Sequence, residues 1–279
     1  MKKKFTSSDA MPQPVAKWPH ALLLSMGIIG IHAQAMAQTF ITTNQKDPIN
    51  VKTNEIVNVG PNVDLSVPGY WVYGQNGTSW WANPETVVVN VNDGSFVMEK
   101  GNINGNLKND RATDGILMQR GSVRLTGVNV VVDHATGDAL QMEGRSSAML
   151  TNSTLLAEGA SGHAVLMQSV NPAWNNTVTV NGGSLTSDKA EAIYVQDNNS
   201  IVNLDNVKVS GTKAIYVKDG NFRSHELNVK RSTLTGTNGS ALHIDSDSSV
   251  VNLLDTTASS TDGANSAVVL NGDGNTLNM

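Results

Sequence analysis

Ala192-Ile193-Tyr194-Val195 returns unchanged as Ala214-Ile215-Tyr216-Val217, 22 residues further along the chain. In both copies a small residue precedes an aliphatic anchor, and another apolar residue follows two positions after that anchor. Five further segments fit the same pattern: Gly115-Ile116-x-Met118, Ala139-Leu140-x-Met142, Ala164-Val165-x-Met167, Ala241-Leu242-x-Ile244 and Ala267-Val268-x-Leu270. Successive anchors are 22 to 28 residues apart, about 25 on average. A repeat of this length is typical of a solenoid, in which each unit forms one coil.

Each unit carries two further sets of apolar residues. The second alternating pair is Val123/Leu125, Ala148/Leu150, Val178/Val180, Val202/Leu204, Leu227/Val229 and Val251/Leu253. A third apolar position follows five residues later, at Val130, Leu155, Leu185, Val209, Leu234 and Ala258. Alternation with a period of two is the pattern of a strand with one buried face, and it excludes a helical solenoid. Three short strands per unit are therefore predicted.

One such coil cannot bury its inner face alone, so coils must stack on each other in parallel ladders about 4.8 Å apart. We therefore predict an all-β chain, a right-handed parallel β-helix whose regular coils span residues 111–279 and whose anchors form one inner column. Turn-forming residues stand between the strands, at Asn181-Gly182-Gly183, Asp205-Asn206, Asp219-Gly220-Asn221 and Thr237-Asn238-Gly239. The rival all-β fold, a sandwich of antiparallel hairpins, needs no fixed three-strand register.

Residues 1–37 have the three parts of a secretory signal: basic residues, an apolar run from Ala21 to Ile31, and small residues before a cleavage site. Cleavage is predicted after Ala37, in the segment Ala35-Met36-Ala37. The apolar run is shorter than the about 20 residues that a transmembrane helix needs. An N-terminal membrane anchor remains the alternative.

Residues 38–110 contain strand-like runs without the clean repeat, and five aromatic side chains cluster there: Tyr70, Trp71, Tyr73, Trp80 and Trp81. A solenoid must cover its first coil, because open ladder groups and exposed core would invite edge pairing. We expect this region to form the N-terminal cap and the first irregular coils. An aromatic binding patch is the functional alternative.

Composition excludes several classes of function. The 279 residues carry a formal charge of -5 and no cysteine. Because Lys and Arg are scattered, no basic stripe is available for phosphates, and nucleic acid is not expected as a partner. Without cysteine the chain has no disulfides, thiolate nucleophile or Cys-ligated zinc. The six histidines are dispersed, so neither a metal nor another cofactor is expected.

Parallel β-helices include polysaccharide enzymes, whose catalytic motifs can be recognised in a sequence. The motifs that mark polygalacturonases and a Gly-x-Ser-x-Gly elbow are absent from the sequence. Val131-Val132-Asp133-His134 resembles one segment of the pectate lyases, but it stands without the acidic calcium ligands and arginine base that a lyase needs. We interpret Asp133-His134 as an ordinary turn, and the chain is not expected to be an enzyme.

The remaining candidates lie on the surface. In the first strand of each unit, the residue between the two inward positions points outward: Leu117, Gln141, Leu166, Tyr194, Tyr216, His243 and Val269. In this register Tyr194 and Tyr216 lie on adjacent coils and stack, with Gln168, Gln196, Lys218 and Asp245 in the next outward column. Stacked tyrosines can bind a sugar face or a partner protein, or simply stabilise the ladder. The longest step places Trp174 on a protruding loop, where recognition residues are often found.

A long leader ending in Ala35-Met36-Ala37, the absence of cysteine and a Gly/Asn/Thr-rich repeat with the motif Ala-aliphatic-x-aliphatic resemble the pertactin-like autotransporter passengers. The likeness is one of architecture and covers residues 38–279. It implies a pectin-lyase-like solenoid. It implies export, passage through the outer membrane by a C-terminal translocator barrel, and display on or release from a Gram-negative cell. The sequence departs from that family because it stops at Met279 without a barrel, so we expect a chain truncated inside a coil.

Two classes of function stay open at this stage. The first is a non-catalytic surface adhesin or scaffold that binds a protein or glycan of a host or cell surface. Tyr194, Tyr216 and Trp174 are its candidate binding residues. The second is a polysaccharide-active enzyme, a lyase or a glycoside hydrolase, with an unrecognised site.

Overall fold

The computed structural model describes residues 36–68, 87–106, 114–168, 175–218 and 224–279, and its regular elements are all β-strands. Nine short strands form the sheet that we call the first-strand sheet: β2 (Ile49–Val51), β5 (Val89–Val91), β7 (Ile116–Met118), β9 (Leu140–Glu143), β11 (Val165–Gln168), β13 (Ile193–Gln196), β16 (Ile215–Val217), β19 (Leu242–Ile244) and β22 (Val268–Leu270). No helix in these ranges is long and apolar enough to span a membrane.

Fourteen strands form the second sheet: β1 (Ala37–Ile41), β3 (Glu55–Val59), β4 (Val63–Pro68), β6 (Gly94–Asn106), β8 (Gly121–Val132), β10 (Ser146–Ala157), β12 (Thr177–Ser187), β14 (Ile201–Asp205), β15 (Lys208–Gly211), β17 (Glu226–Lys230), β18 (Thr233–Gly236), β20 (Val250–Leu254), β21 (Thr257–Ser260) and β23 (Thr276–Asn278). Every strand pairs in parallel with the equivalent strands of neighbouring coils. The chain is therefore a parallel β-helix, as the repeat predicts, and the hairpin sandwich is wrong.

The register agrees with the sequence repeat residue by residue. The seven anchors are direct partners in order, from Ile116 paired with Leu140 to Leu242 paired with Val268. The second alternating pairs and the third apolar positions are likewise aligned from coil to coil. The anchors from Ile116 to Leu242 are fully buried, whereas Val268 is partly buried. The predicted inner column is thus the core of the solenoid.

The second and third strands of a coil are joined more closely than the sequence predicts. In β6, β8, β10 and β12 they form one continuous bent strand of 11 to 13 residues, and in later coils they are separate strands. At the bend one residue per coil has a positive φ, between 47° and 74°: Asn62, Lys100, Gly127, Asn152, Gly182, Asn206, Arg231 and Asp255. The predicted turns at Gly182 and Asn206 are part of this column. The left-handed conformation turns the chain at this point, and the parallel pairing resumes in register after the bend.

The ladder extends further toward the N-terminus than the repeat indicates. Ile49 pairs with Val89, and Val89 pairs with Ile116, so both continue the anchor column. The step from Ile49 to Val89 includes residues 69–86, which are outside the described residues together with the aromatic cluster that we expect to cap the stack. Residues 1–35 of the predicted leader are also outside them. Ala37, the last residue of the predicted signal, begins β1.

Candidate binding face

The outer surface of the first-strand sheet carries a stack of aromatic rings. Tyr194 and Tyr216 are direct partners on β13 and β16, and their rings are 5.3 Å apart between centroids with an interplanar angle of 4°. The stack continues to His163, whose ring lies 5.0 Å from that of Tyr194, and to His243, which meets Tyr216 edge-on at 5.3 Å. This confirms the predicted tyrosine stack and extends it over four coils.

The arrangement covers the faces of both tyrosine rings. Tyr194 has an aromatic neighbour on the coil before it and on the coil after it, and so does Tyr216. The ammonium group of Lys213 lies 4.2 Å from the centroid of the Tyr216 ring, a cation–π contact. Each tyrosine ring therefore has neighbouring side chains on both sides along the stack.

A hydrogen-bond network fixes the polar end of Tyr216. Its hydroxyl donates to Oδ2 of Asp245 at 2.9 Å. Oδ1 of the same carboxylate is 2.9 Å from His243 Nε2 and accepts from Asn271 Nδ2 at 2.7 Å. Burial and the bond to Asp245 raise the pKa of Tyr216, and burial also raises the pKa of Tyr194. Both phenols remain protonated at neutral pH, so they are hydrogen-bond donors rather than bases.

A ladder of charged side chains runs beside the rings, one residue per coil, always two positions before the anchor. Its members, which we call the charge ladder, are Asp114, Asp138, His163, Glu191 and Lys213. Asp114 Oδ1 accepts the backbone N–H of Asp138 at 2.9 Å, and Asp138 Oδ1 is 2.8 Å from His163 Nδ1. Glu191 Oε2 lies 3.6 Å from His163 Nε2, and its Oε1 accepts from Lys213 Nζ at 3.2 Å. Unlike charges therefore alternate from His163 to Lys213.

The electrostatics of the charge ladder follow from burial and pairing. Burial alone lowers the pKa of His163, but the hydrogen bond to Asp138 and the ion pair with Glu191 outweigh it and raise the pKa to about 9. The ion pair with His163 lowers the pKa of Glu191 to about 2. Burial raises the pKa of Asp114 and that of Asp138. At neutral pH His163 is therefore an imidazolium ion without a lone pair, and it cannot act as a general base.

The outward column two positions after the tyrosines, which comprises Gln168, Gln196, Lys218 and Asp245, also has the predicted register. Gln168 and Gln196 are direct partners, and the backbone N–H groups of Lys218 and Asp245 bond to the preceding coils. Gln168 Nε2 donates to Glu143 on the coil before it at 3.0 Å. These side chains make the face polar next to the aromatic stack. We call the surface formed by the aromatic stack, the charge ladder and this column the binding face.

The structure brings together some of the residues that the sequence singles out. Tyr194 and Tyr216 lie at the centre of the binding face, whereas Trp174 and the cleavage-site residue Ala35 are outside the described residues. Sequence reasoning missed His163, Glu191 and Lys213 as parts of the same surface. A usable signal was present, since a charged residue or histidine recurs two positions before five successive anchors.

Asp133-His134 forms a turn between β8 and β9, as interpreted from the sequence. His134 is buried, and its Nδ1 accepts the backbone N–H of Thr136 at 3.3 Å. Such a bond to the backbone two residues on is typical of turns. Within the described ranges, no group of three or more His, Asp or Glu side chains could hold a metal ion.

Comparison of the chain with models of protein families, with curated proteins and with solved structures found no match.

Proposed function

We propose that this chain is a non-catalytic binding protein, exported and displayed on or released from a Gram-negative cell, and that its binding face recognises a partner protein. The observation that carries the proposal is that polar and charged side chains of the binding face bond to each other. Tyr216, His163, Glu191 and Asp245 each bond to a neighbouring side chain of the same surface. A surface held so rigidly loses little conformational entropy when a ligand binds.

The protonation states favour binding over acid–base catalysis. Lyases and hydrolases of polysaccharides need a basic group or a pair of carboxylates directed at the substrate. On the binding face the phenol of Tyr216 has a raised pKa, and His163 is held protonated by Asp138 and Glu191. Neither group can accept a proton at neutral pH. Together with Asp245 and Glu191 they form a fixed arrangement of charges and hydrogen bonds.

The covered ring faces favour a protein over a sugar as the ligand at this position. A sugar ring stacks on an open aromatic face, and both faces of Tyr194 and of Tyr216 are occupied by neighbouring side chains. The ring edges remain for contact. Tyrosine supplies rigid, amphipathic contact area at low entropic cost, and it is enriched among the residues that dominate protein interfaces.

Display outside the cell is proposed on the resemblance to autotransporter passengers, which is supported by the parallel β-helix. Expression of the gene in a Gram-negative host tests this part. We expect the exported protein to begin at Gln38, after cleavage behind Ala37, as read by N-terminal sequencing. A chain that keeps residues 1–37 and stays in the inner membrane would contradict export.

The binding proposal is tested by retention of the purified chain on host cells and on extracellular matrix. The double variant Tyr194→Ser, Tyr216→Ser removes the stack, and we expect at least about a tenfold loss of retention, as for central interface tyrosines. The matched control is Arg124→Ser, Met149→Ser, which changes two outward side chains on paired positions of the second sheet. Equal retention of both variants would contradict the proposal. So would depolymerisation of an acidic polysaccharide by the unaltered chain.

A further inference from the structure

A groove of about 320 Å³ lies on the outside of the second sheet, away from the binding face. We call it the amide groove, because asparagines from four successive coils line it, together with Lys230 and Leu254. These are Asn181, Asn203, Asn228 and Asn252. Asn203, Asn228 and Asn252 occupy the same outward position of β14, β17 and β20, between the two inward-facing residues of each strand. The side chains are half-buried, as expected for the floor of a groove.

The amides form a hydrogen-bonded ladder along the solenoid axis. Asn228 Nδ2 donates to Asn203 Oδ1 at 2.9 Å, and Asn252 Nδ2 donates to Asn228 Oδ1 at 2.7 Å. Asn278 continues the series by donating to Asn252 Oδ1 at 2.6 Å. Each bond fixes both the position and the orientation of an amide, so the oxygen and nitrogen atoms of successive coils are aligned about 4.8 Å apart.

The ladder does not use all the hydrogen-bonding capacity of its amides. An asparagine side chain has two N–H donors and an oxygen with two lone pairs. Asn203 donates one N–H to the Thr179 hydroxyl and Asn252 donates one to Asn228, and each has a second N–H. Asn228 directs its second N–H to Glu226 at 2.8 Å. Each ladder oxygen accepts one bond and has one further lone pair. The groove therefore offers alternating donors and acceptors at fixed spacing.

The rim determines which ligand fits this array. Asp205 is paired with Arg231, whose Nε donates to Asp205 Oδ1 at 2.8 Å, so these two charges neutralise each other, and the lining keeps a single ammonium group, that of Lys230, rather than a cluster of one sign. Leu254 is 54% exposed and gives the groove an apolar wall. A ligand with many groups that both donate and accept, with an apolar side and without net charge, matches these properties. Sugar hydroxyls and the C–H face of a pyranose ring have them.

We infer that the amide groove binds a linear neutral glycan, which lies along the solenoid axis and contacts the amides of several coils. An extended peptide fits less well. Peptides that bind to sheets add to an unpaired strand edge, whereas β14, β17 and β20 are paired on both sides. The inference is independent of the proposed partner protein, because the two surfaces share no residue.

The test is a titration of the purified, ¹⁵N-labelled chain with linear neutral hexasaccharides: a β-1,4-glucan, an α-1,4-glucan and a chitin oligomer. We expect at least one of them to shift the side-chain amide signals of Asn203 and Asn252, with dissociation constants in the millimolar range or tighter. The shifts are read in the unaltered chain, so they do not depend on how a variant folds. Absence of such shifts with all three would overturn the inference.

Variants sharpen the test. Asn203→Ala removes one rung, and we expect it to weaken binding of the glycan about tenfold. Asn129→Ala is the matched control, because Asn129 belongs to a second amide ladder through Asn102 to Asp64 that does not line the groove. Equal affinity of these two variants would contradict the assignment. Stronger shifts with a sulfated hexasaccharide or with an extended hexapeptide would also contradict it.

Discussion

His163 is a partly buried histidine held between two carboxylates, and the sign of its effect on stability follows from that position. Its pKa is about 9 in the folded chain, against 6.5 for an unperturbed histidine. A raised pKa means that the folded state binds the proton more tightly than the unfolded state. The stabilisation is therefore complete below pH 6.5 and is lost as the pH rises through 9.

The pH dependence of unfolding tests this directly. We expect the free energy of unfolding, measured with urea, to fall by about 1 to 3 kcal/mol between pH 6 and pH 9. In His163→Gln the ion pairs with Asp138 and Glu191 are absent, so the decline over this range should be much smaller. An unaltered decline in that variant would show that another group causes it.

Asn176 connects three coils from a fully buried position. Its Oδ1 accepts the backbone N–H of Ser146 at 3.0 Å, and its Nδ2 lies 2.6 Å from Asp197 Oδ2 and 3.2 Å from the carbonyl oxygen of Gln168. Burial raises the pKa of Asp197 to about 6, although the bonds from Ser200 and Asn176 oppose that rise. The side chain of Asn176 therefore supplies hydrogen-bond partners to several buried polar groups at once.

Asn176→Ala should consequently destabilise the chain by about 3 kcal/mol, because buried donors and acceptors lose their partners. Denaturant unfolding at pH 7 measures the change. The control is Asn129→Ala on the exposed ladder, for which we expect a loss below about 1 kcal/mol. Equal losses would mean that the buried bonds contribute no more than those at the surface.

At the scale of the strand, the bends between the second and third strands decide how each coil turns. Lys100, with a φ of 51°, has the left-handed conformation that side chains with a Cβ disfavour. Gly183 follows the bend residue Gly182 and has a φ of 92°, and a Cβ there would collide with the carbonyl oxygen of Ser153. Replacing Lys100 by glycine should therefore stabilise the chain, whereas replacing Gly183 by a residue with a Cβ should destabilise it.

Lys100→Gly should raise the free energy of unfolding by about 1 kcal/mol, since it removes the strain of the left-handed conformation. Gly183→Ala should lower it by about 2 kcal/mol or more, through strain and collision together. Both changes are measured by thermal or urea unfolding of the purified chain. Destabilisation by Lys100→Gly would show that the lysine side chain contributes more than its backbone strain costs.

The strands were predictable because their signal is local and repeats. Period-two alternation and a small residue before each anchor place Ile116 and its equivalents in the correct register. The same criterion missed Val89 and Ile49, because Val88 and Pro48 stand where the other coils have a small residue. The joining of the second and third strands was missed too, since residues such as Asn152 and Gly182, which stand at the bends, indicate a turn that ends a strand.

At the scale of the whole molecule, stacked coils turn distant residues into neighbours, and both proposed surfaces depend on that. The tyrosine stack was predictable because the two tyrosines occupy equivalent positions of identical motifs. The positions of the charge ladder could be found in the sequence, but its pairing could not, because the choice of partners for His163 depends on side-chain geometry across coils. The amide groove likewise combines asparagines that are 22 to 25 residues apart in sequence.

A pair of engineered cysteines tests the in-register stack most directly, because the chain contains no cysteine. Ser184 and Lys208 are direct partners on adjacent coils, whereas Thr233 lies one coil further from Ser184. Adjacent coils are about 4.8 Å apart, within the range of a disulfide, and twice that spacing is beyond it. We expect Ser184→Cys, Lys208→Cys to form a disulfide under mild oxidation and Ser184→Cys, Thr233→Cys to keep free thiols. Equal cross-linking of the two variants, or cross-linking of the second alone, would contradict the stacked parallel coils.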